Sequence, residues 1–194
     1  MKKVDVSGDI SNYQLEKEFR RTARKRRRWT SFKCTVSMLI VFAAILVLIS
    51  TLWFPIYHIT GIAMEPSLKQ GTVVVATRLG NLEAGDIAAI YYKNHILISR
   101  LIGMPGDSVY IDEQGIVSVN NLLLEEDYLT ETVLGTTDLT YPYLVPEGRY
   151  FVMGDNRAKS TDSRMSDIGC VEEESFAGRI LFCIWPLRQI GYVG

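Results

Sequence analysis

Histidine is scarce in this chain. There are 2 in 194 residues, His58 and His95, alongside 3 cysteines and 6 prolines. No cysteine and histidine stand at a spacing that suggests a metal site, and no cofactor is implied. Cys170 and Cys183 are separated by a distance that neither demands nor excludes a disulfide, and Cys34 opens an apolar run. Charge is missing altogether from residues 34–54, "CTVSMLIVFAAILVLISTLWF". A water-soluble helix needs a polar face; this segment has none, so it is not expected to be an ordinary surface helix.

What is present fits that absence. At about 1.5 Å rise per residue, a helix over 34–54 spans roughly 30 Å, the thickness of a bilayer core. In lipid a helix satisfies its own backbone. Trp29 and Trp53 bracket the run, as interfacial aromatics do. On its N-terminal side lies "RRTARKRRR", Arg20–Arg28, followed by Lys33. A basic arm of this kind also suits nucleic acid, but beside a span it sets topology, so no nucleic-acid partner is expected. Contact with anionic headgroups fits it as well. The basic and apolar runs are too long for a cleaved leader, which leaves an uncleaved signal anchor. The organisation expected is a basic cytoplasmic tail, 1–33, a transmembrane anchor, 34–54, and an extracytoplasmic domain, 55–194. The tail's periodicity around Tyr13–Arg28 suggests a short interfacial helix. Charge divides the same way: residues 1–33 hold eleven Lys/Arg and four Asp/Glu, residues 55–194 ten and eighteen.

The outer domain reads mainly as β-structure. "TVVVAT", 72–77, is a β-branched run. "DIAAIYY", 86–92, and "HILISRLIG", 95–103, flank Lys93–Asn94 as a hairpin. "DSVYID" and "GIVSVNN" flank 113–115 as a second hairpin. "RYFVMG", 149–154, and "AGRILFCIWPL", 177–187, are further strands. Helical signal is weak after the span.

Three motifs follow that span in order: "GIAMEPSLKQG", 61–71; "SRLIGMPGD", 99–107; and "GDNRAKSTDSR", 154–164. Together they resemble the type I signal peptidase family. That family's pattern is approximately Ser-Met-x-Pro-Thr-Leu, then Lys-Arg-x-x-Gly-x-Pro-Gly-Asp, then Gly-Asp-Asn-Arg-x-x-Ser-x-Asp-Ser-Arg. The likeness covers about 34–190. It implies a two-sheet β domain on one N-terminal transmembrane helix, which hydrolyses exported preproteins after a small-x-small pattern. The family's chemistry uses a serine nucleophile and a lysine base whose pKa burial lowers.

By that resemblance Ala63 occupies the nucleophile position and Ser99 the general-base position. A methyl group cannot attack a carbonyl, and a hydroxyl is a poor base near neutral pH. Ser160 matches the serine that orients the lysine. Gly61, Ile62 and Met64 fall in the substrate-binding and oxyanion region. Pro66, Arg100, Gly103, Pro105, Gly106, Asp107, Gly154, Asp155, Asn156, Arg157, Asp162, Ser163 and Arg164 read as motif residues that shape turns and pair charges. Ser67 stands in the slot of the family's threonine. "MSDI" before Gly169 implies a slightly longer loop than the family pattern. Lys93 and His95 lie roughly 20 and 13 Å from Ser99 along an extended strand, too far to act as its base. His58 is similarly remote from Ala63.

Two classes of function remain. One is a non-catalytic binding or assembly factor, similar to the signal-peptidase-like proteins of Gram-positive pilus clusters. Its partners would be exported preproteins or pilin subunits, with a sortase nearby. The other is an active signal peptidase with a non-standard site. Ser-Lys autoproteolytic repressors fit less well, because they lack a membrane anchor.

Overall fold

A computed structural model describes residues 12–193. It divides into two compact units, Met1–Ile49 and Ser50–Gly194.

The described part of the first unit, from Asn12 on, is helical. Helix α1 runs unbroken from Asn12 to Trp53. The separate tail helix expected over Tyr13–Arg28 is instead continuous with the apolar run. No proline or glycine interrupts 12–53, so nothing forces a break between the basic and apolar parts. Within it Ser31–Trp53, with mean hydropathy 2.6, is long and apolar enough to cross a membrane. Its described side chains are exposed throughout, including Leu39, Ile40, Phe42 and Leu48. Such a helix finds no protein core to bury itself in.

The second unit is mainly β. Its strands are β1 (Ile56–His58), β2 (Val73–Thr77), β3 (Ile87–Tyr92), β4 (His95–Gly103), β5 (Ser108–Ile111), β6 (Val117–Val119), β7 (Leu122–Leu123), β8 (Tyr143–Leu144), β9 (Arg149–Met153), β10 (Val171–Glu172), β11 (Phe176–Trp185) and β12 (Gly191–Tyr192). They form two sheets. The larger has the order β1-β2-β11-β3-β4-β9-β10, with β12 added beside β11. The smaller runs β7-β6-β5-β8. Both expected hairpins form: β3 and β4 turn at Lys93, which takes φ 51°, and β5 pairs with β6. Strand β11 divides its partners, giving Phe176–Arg179 to β3 and Arg179–Trp185 to β2.

The apolar run in β3 has a packing reason. Ile87 and Ala89 join one core with Met64, Leu68, Val74 and Ile180. Ala88 and Ile90 face a second core with Leu101 and Val152. A strand covered on both faces loses its polar alternation. A third core, around Val109, Val117, Phe151 and Met153, joins the small sheet to β9. Cys170 lies in that third core and Cys183 is buried in β11; both are free thiols. Burial pushes the Cys170 thiol up.

Candidate functional site

The site grows from the turn after β1. From Gly61 to Leu68 the chain coils back on itself: Glu65 N–H donates to Ile62 O at 3.2 Å and Leu68 N–H to Met64 O at 2.8 Å. Met64 and Leu68 are the apolar pegs of this turn, 2% and 1% exposed in the first core. Burying these two side chains fixes the backbone of Ala63 between them. Ala63 O then accepts the Asn156 N–H at 2.8 Å, tying the first motif to the third.

Gly154 makes that junction possible. A Cβ there would lie 2.4 Å from Ser160 Cβ and 2.6 Å from Ala63 O. Both are closer than real contacts permit, so only glycine lets the Ala63 backbone and Ser160 approach from either side. Ala63 and Ser99 in turn line one cleft of about 470 Å³, with Gly61, Met64 and Thr161. Ser99 also borders a neighbouring cavity of about 220 Å³ that reaches Asp162. The structure therefore gathers Ala63, Ser99, Ser160 and Asp162, from three separate stretches of sequence, around one locus. Ile62 is half-buried and does not line the cleft.

Beneath the locus the third motif forms a buried ionic network. Asp162 Oδ2 accepts Gly154 N–H at 2.9 Å, the Ser160 hydroxyl at 2.7 Å and Arg164 Nη2 at 2.9 Å. Arg164 Nε donates to Asp162 Oδ1 at 2.8 Å. Burial alone would raise the Asp162 pKa, but the ion pair with Arg164 and these hydrogen bonds overcome it and hold the carboxyl below 3.8. Ser160 Oγ also accepts Arg164 Nη2 at 2.7 Å, so its hydroxyl proton and one lone pair are both engaged. Ser163 Oγ accepts Val152 N–H at 3.0 Å, holding the motif to β9.

Arg100, next to Ser99, links the second motif to the third. Its guanidinium grips Asp155 in a two-point pair, at 2.9 and 2.7 Å, and donates to Gly85 O at 2.8 Å. The Tyr128 ring covers it at 3.9 Å. Arg157 pairs with Glu126 and donates to Gly154 O. Asp107 closes the turn at Pro105–Gly106, its Oδ2 accepting Met104 N–H at 2.7 Å. In "MSDI" Gly169 N–H donates to Met165 O at 2.8 Å, so the added residues coil into a helical turn.

The structure separates Lys93 from the two histidines. Lys93 is exposed and does not line the cleft, but His58 and His95 both do. The end of β1 and the start of β4 both border this cleft, although three strands separate them in the sheet. No local sequence signal marks that shared border. Among the described residues, no group of three His, Cys, Asp or Glu is placed to hold a metal ion.

Comparison with known proteins agrees with the motifs. The family model for "Signal peptidase, peptidase S26" matches residues 31–185. A signal peptidase I of Bacillus licheniformis is 34% identical over 169 residues, covering 80% of this chain and 89% of its own. Signal peptidase I U of Bacillus subtilis is 30% identical over 185 residues, covering 87% and 95%. A crystal structure of an Enterococcus faecalis signal peptidase I is 32% identical, with a TM-score of 0.43 over 52% of this chain and 97% of that one. The matched segment runs from the apolar helix to the end of β11 and contains all three motifs: this chain belongs to the signal peptidase S26 family.

Proposed function

We propose that this protein is a non-catalytic member of its family. It binds exported proteins or pilin subunits in the cleft and assists pilus assembly at the outer membrane surface, close to a sortase. The observation that supports this is a contrast within one site. The cleft and its buried charge network are fully built, yet the two side chains at the reactive positions are a methyl and a hydroxyl. A cleft without a nucleophile and base can hold a chain and leave it intact.

Membrane anchoring is suggested by α1 and by the relatives. The basic run at Arg20–Arg28 supports placing residues 1–33 in the cytoplasm and 55–194 outside. The full chain in detergent, mixed with a preprotein, should show saturable binding and no cleavage. Cleavage by the unmodified chain that Ser99→Ala abolishes would overturn the reading in favour of a working peptidase with a non-standard site. For the pilus role, deleting the gene should shorten pilin polymers on an immunoblot. Polymers of unchanged length would separate the protein from assembly.

A further inference from the structure

A cavity of about 220 Å³ lies in the second core, beside the cleft. Ile90, Leu97, Val152 and Val171 give it apolar walls. Leu97 and Ser99 border both spaces, so cavity and cleft adjoin at these two residues. Strand alternation sets where Ser99 points. Leu97 and Leu101 pack into the second core, Ser99 lies between them on β4, and its cross-strand partner Ala88 belongs to the same core. Arg100 turns to the other face, toward Asp155 and Gly85. The Ser99 side chain is therefore on the cavity's face of β4.

Ser99 is 4% exposed, and its hydroxyl has no hydrogen-bond partner among the described residues. The other buried polar side chains of the cavity are engaged. Asp162 accepts from Gly154, Ser160 and Arg164, and Cys170 is hydrogen-bonded to Tyr143. At the outer end Arg149 pairs with Glu172 at 2.6 Å. The charges that line the cavity are thus already matched, and a further charge entering it would find no free partner. What is left open is one hydroxyl beside an apolar wall.

The cleft supplies the way in. β1 pairs with β2 on one side only, and β4 pairs with β9 only from Arg100 to Gly103, which leaves 95–98 open on that edge. An extended segment that adds there spends its backbone groups on those edges. A side chain, not the backbone, is then left to meet Ser99. A wholly apolar side chain would strip water from the Ser99 hydroxyl and return nothing, which is costly for a buried group.

We propose that the cavity behind Ser99 seats a threonine side chain of a segment bound in the cleft. Its methyl lies against Leu97 and Val152, and its hydroxyl is hydrogen-bonded to Ser99. Threonine is the smallest side chain that carries both groups. This rests on the reading of the cleft as a segment-binding site.

The test uses the full chain in detergent and two labelled alanine decapeptides, one with a central Thr and one with a central Val. The two side chains have nearly the same shape and differ in the hydroxyl, and the uniform alanine lets the central residue choose its register. Dissociation constants come from fluorescence anisotropy. The Thr-to-Val affinity ratio should be about five- to tenfold higher in the parent than in Ser99→Ala. A parent-like denaturant midpoint would show that the variant is folded. Without any variant, nuclear Overhauser contacts from an isotope-labelled threonine methyl should reach the methyls of Leu97 and Val152. Equal ratios in the two proteins, or contacts to Ile59 and Met64 instead, would overturn the threonine seat and leave the cleft reading standing. Binding of neither peptide would overturn both.

Discussion

Ala63 and Ser99 line one cleft, and Ser160 meets the Ala63 backbone across Gly154. This geometry makes a restoration experiment informative. Ala63→Ser alone supplies an attacking oxygen without the lysine base of the family pattern, and Ser99→Lys alone supplies that base with nothing to deprotonate. Each single variant should stay at background in a preprotein cleavage assay. The pair should rise above background by about tenfold or more, because such groups act as a unit. Equal activity from Ala63→Ser alone would mean another base is in reach. Asp162 carries a second prediction. Its folded pKa lies below 3.8, so its contribution to stability is complete above that value and is lost as pH falls through the lower folded pKa. Denaturant midpoints of the parent should drop in that acid range. Asp162→Asn should cost about 3–5 kcal/mol at pH 7, since Arg164 is left buried without its carboxylate. That variant should also lose this part of the acid decline.

At the scale of elements, the three motifs are joined by contacts that tolerate little change. The segment between β7 and β8 is irregular, yet it closes over the third motif. Glu126 pairs with Arg157, Tyr128 covers Arg100, and Leu134 O accepts Arg164 Nη1 at 2.6 Å. Gly135, at φ 66°, allows that pass: a Cβ there would lie 2.1 Å from Arg157 O. Gly154→Ala tests the junction nearest the site. Its methyl would press on Ala63 O and Ser160, and should destabilise the domain by about 1–3 kcal/mol, read as a lower denaturant midpoint. It should also weaken peptide binding in the cleft, because Ala63 must move. An unchanged midpoint with normal binding would show that the Ala63 turn is not held through Gly154.

For the whole molecule, the decisive feature is the division between an apolar helix with an exposed surface and a folded β unit. Ser31–Trp53 is suited to lipid, and the basic run before it opposes translocation of the N-terminus. Protease added to intact protoplasts should therefore digest residues 55–194 and spare a tag at the N-terminus. Protection of the β unit, with loss of the N-terminal tag, would reverse the orientation.

Much of this protein could be read from local chemistry. A charge-free run of 21 residues at 34–54 leaves the helix no charged face, and Ser31–Trp53 is long and apolar enough to cross a membrane. The Lys93 turn and the strands around it follow from short-range pattern, as did the likeness carried by "GDNRAKSTDSR". The extent of α1 was not legible, since helix continuity depends on nothing breaking it, and composition pointed to two segments. Nor was it legible that His58 and His95 border one cleft. Their strands lie four pairings apart in the large sheet, so that shared border depends on how the sheet twists. Local sequence settles which residues prefer strand, turn or lipid. Only the tertiary structure decides which strand ends border one cleft, because that is fixed by long-range packing of a core to which both contribute.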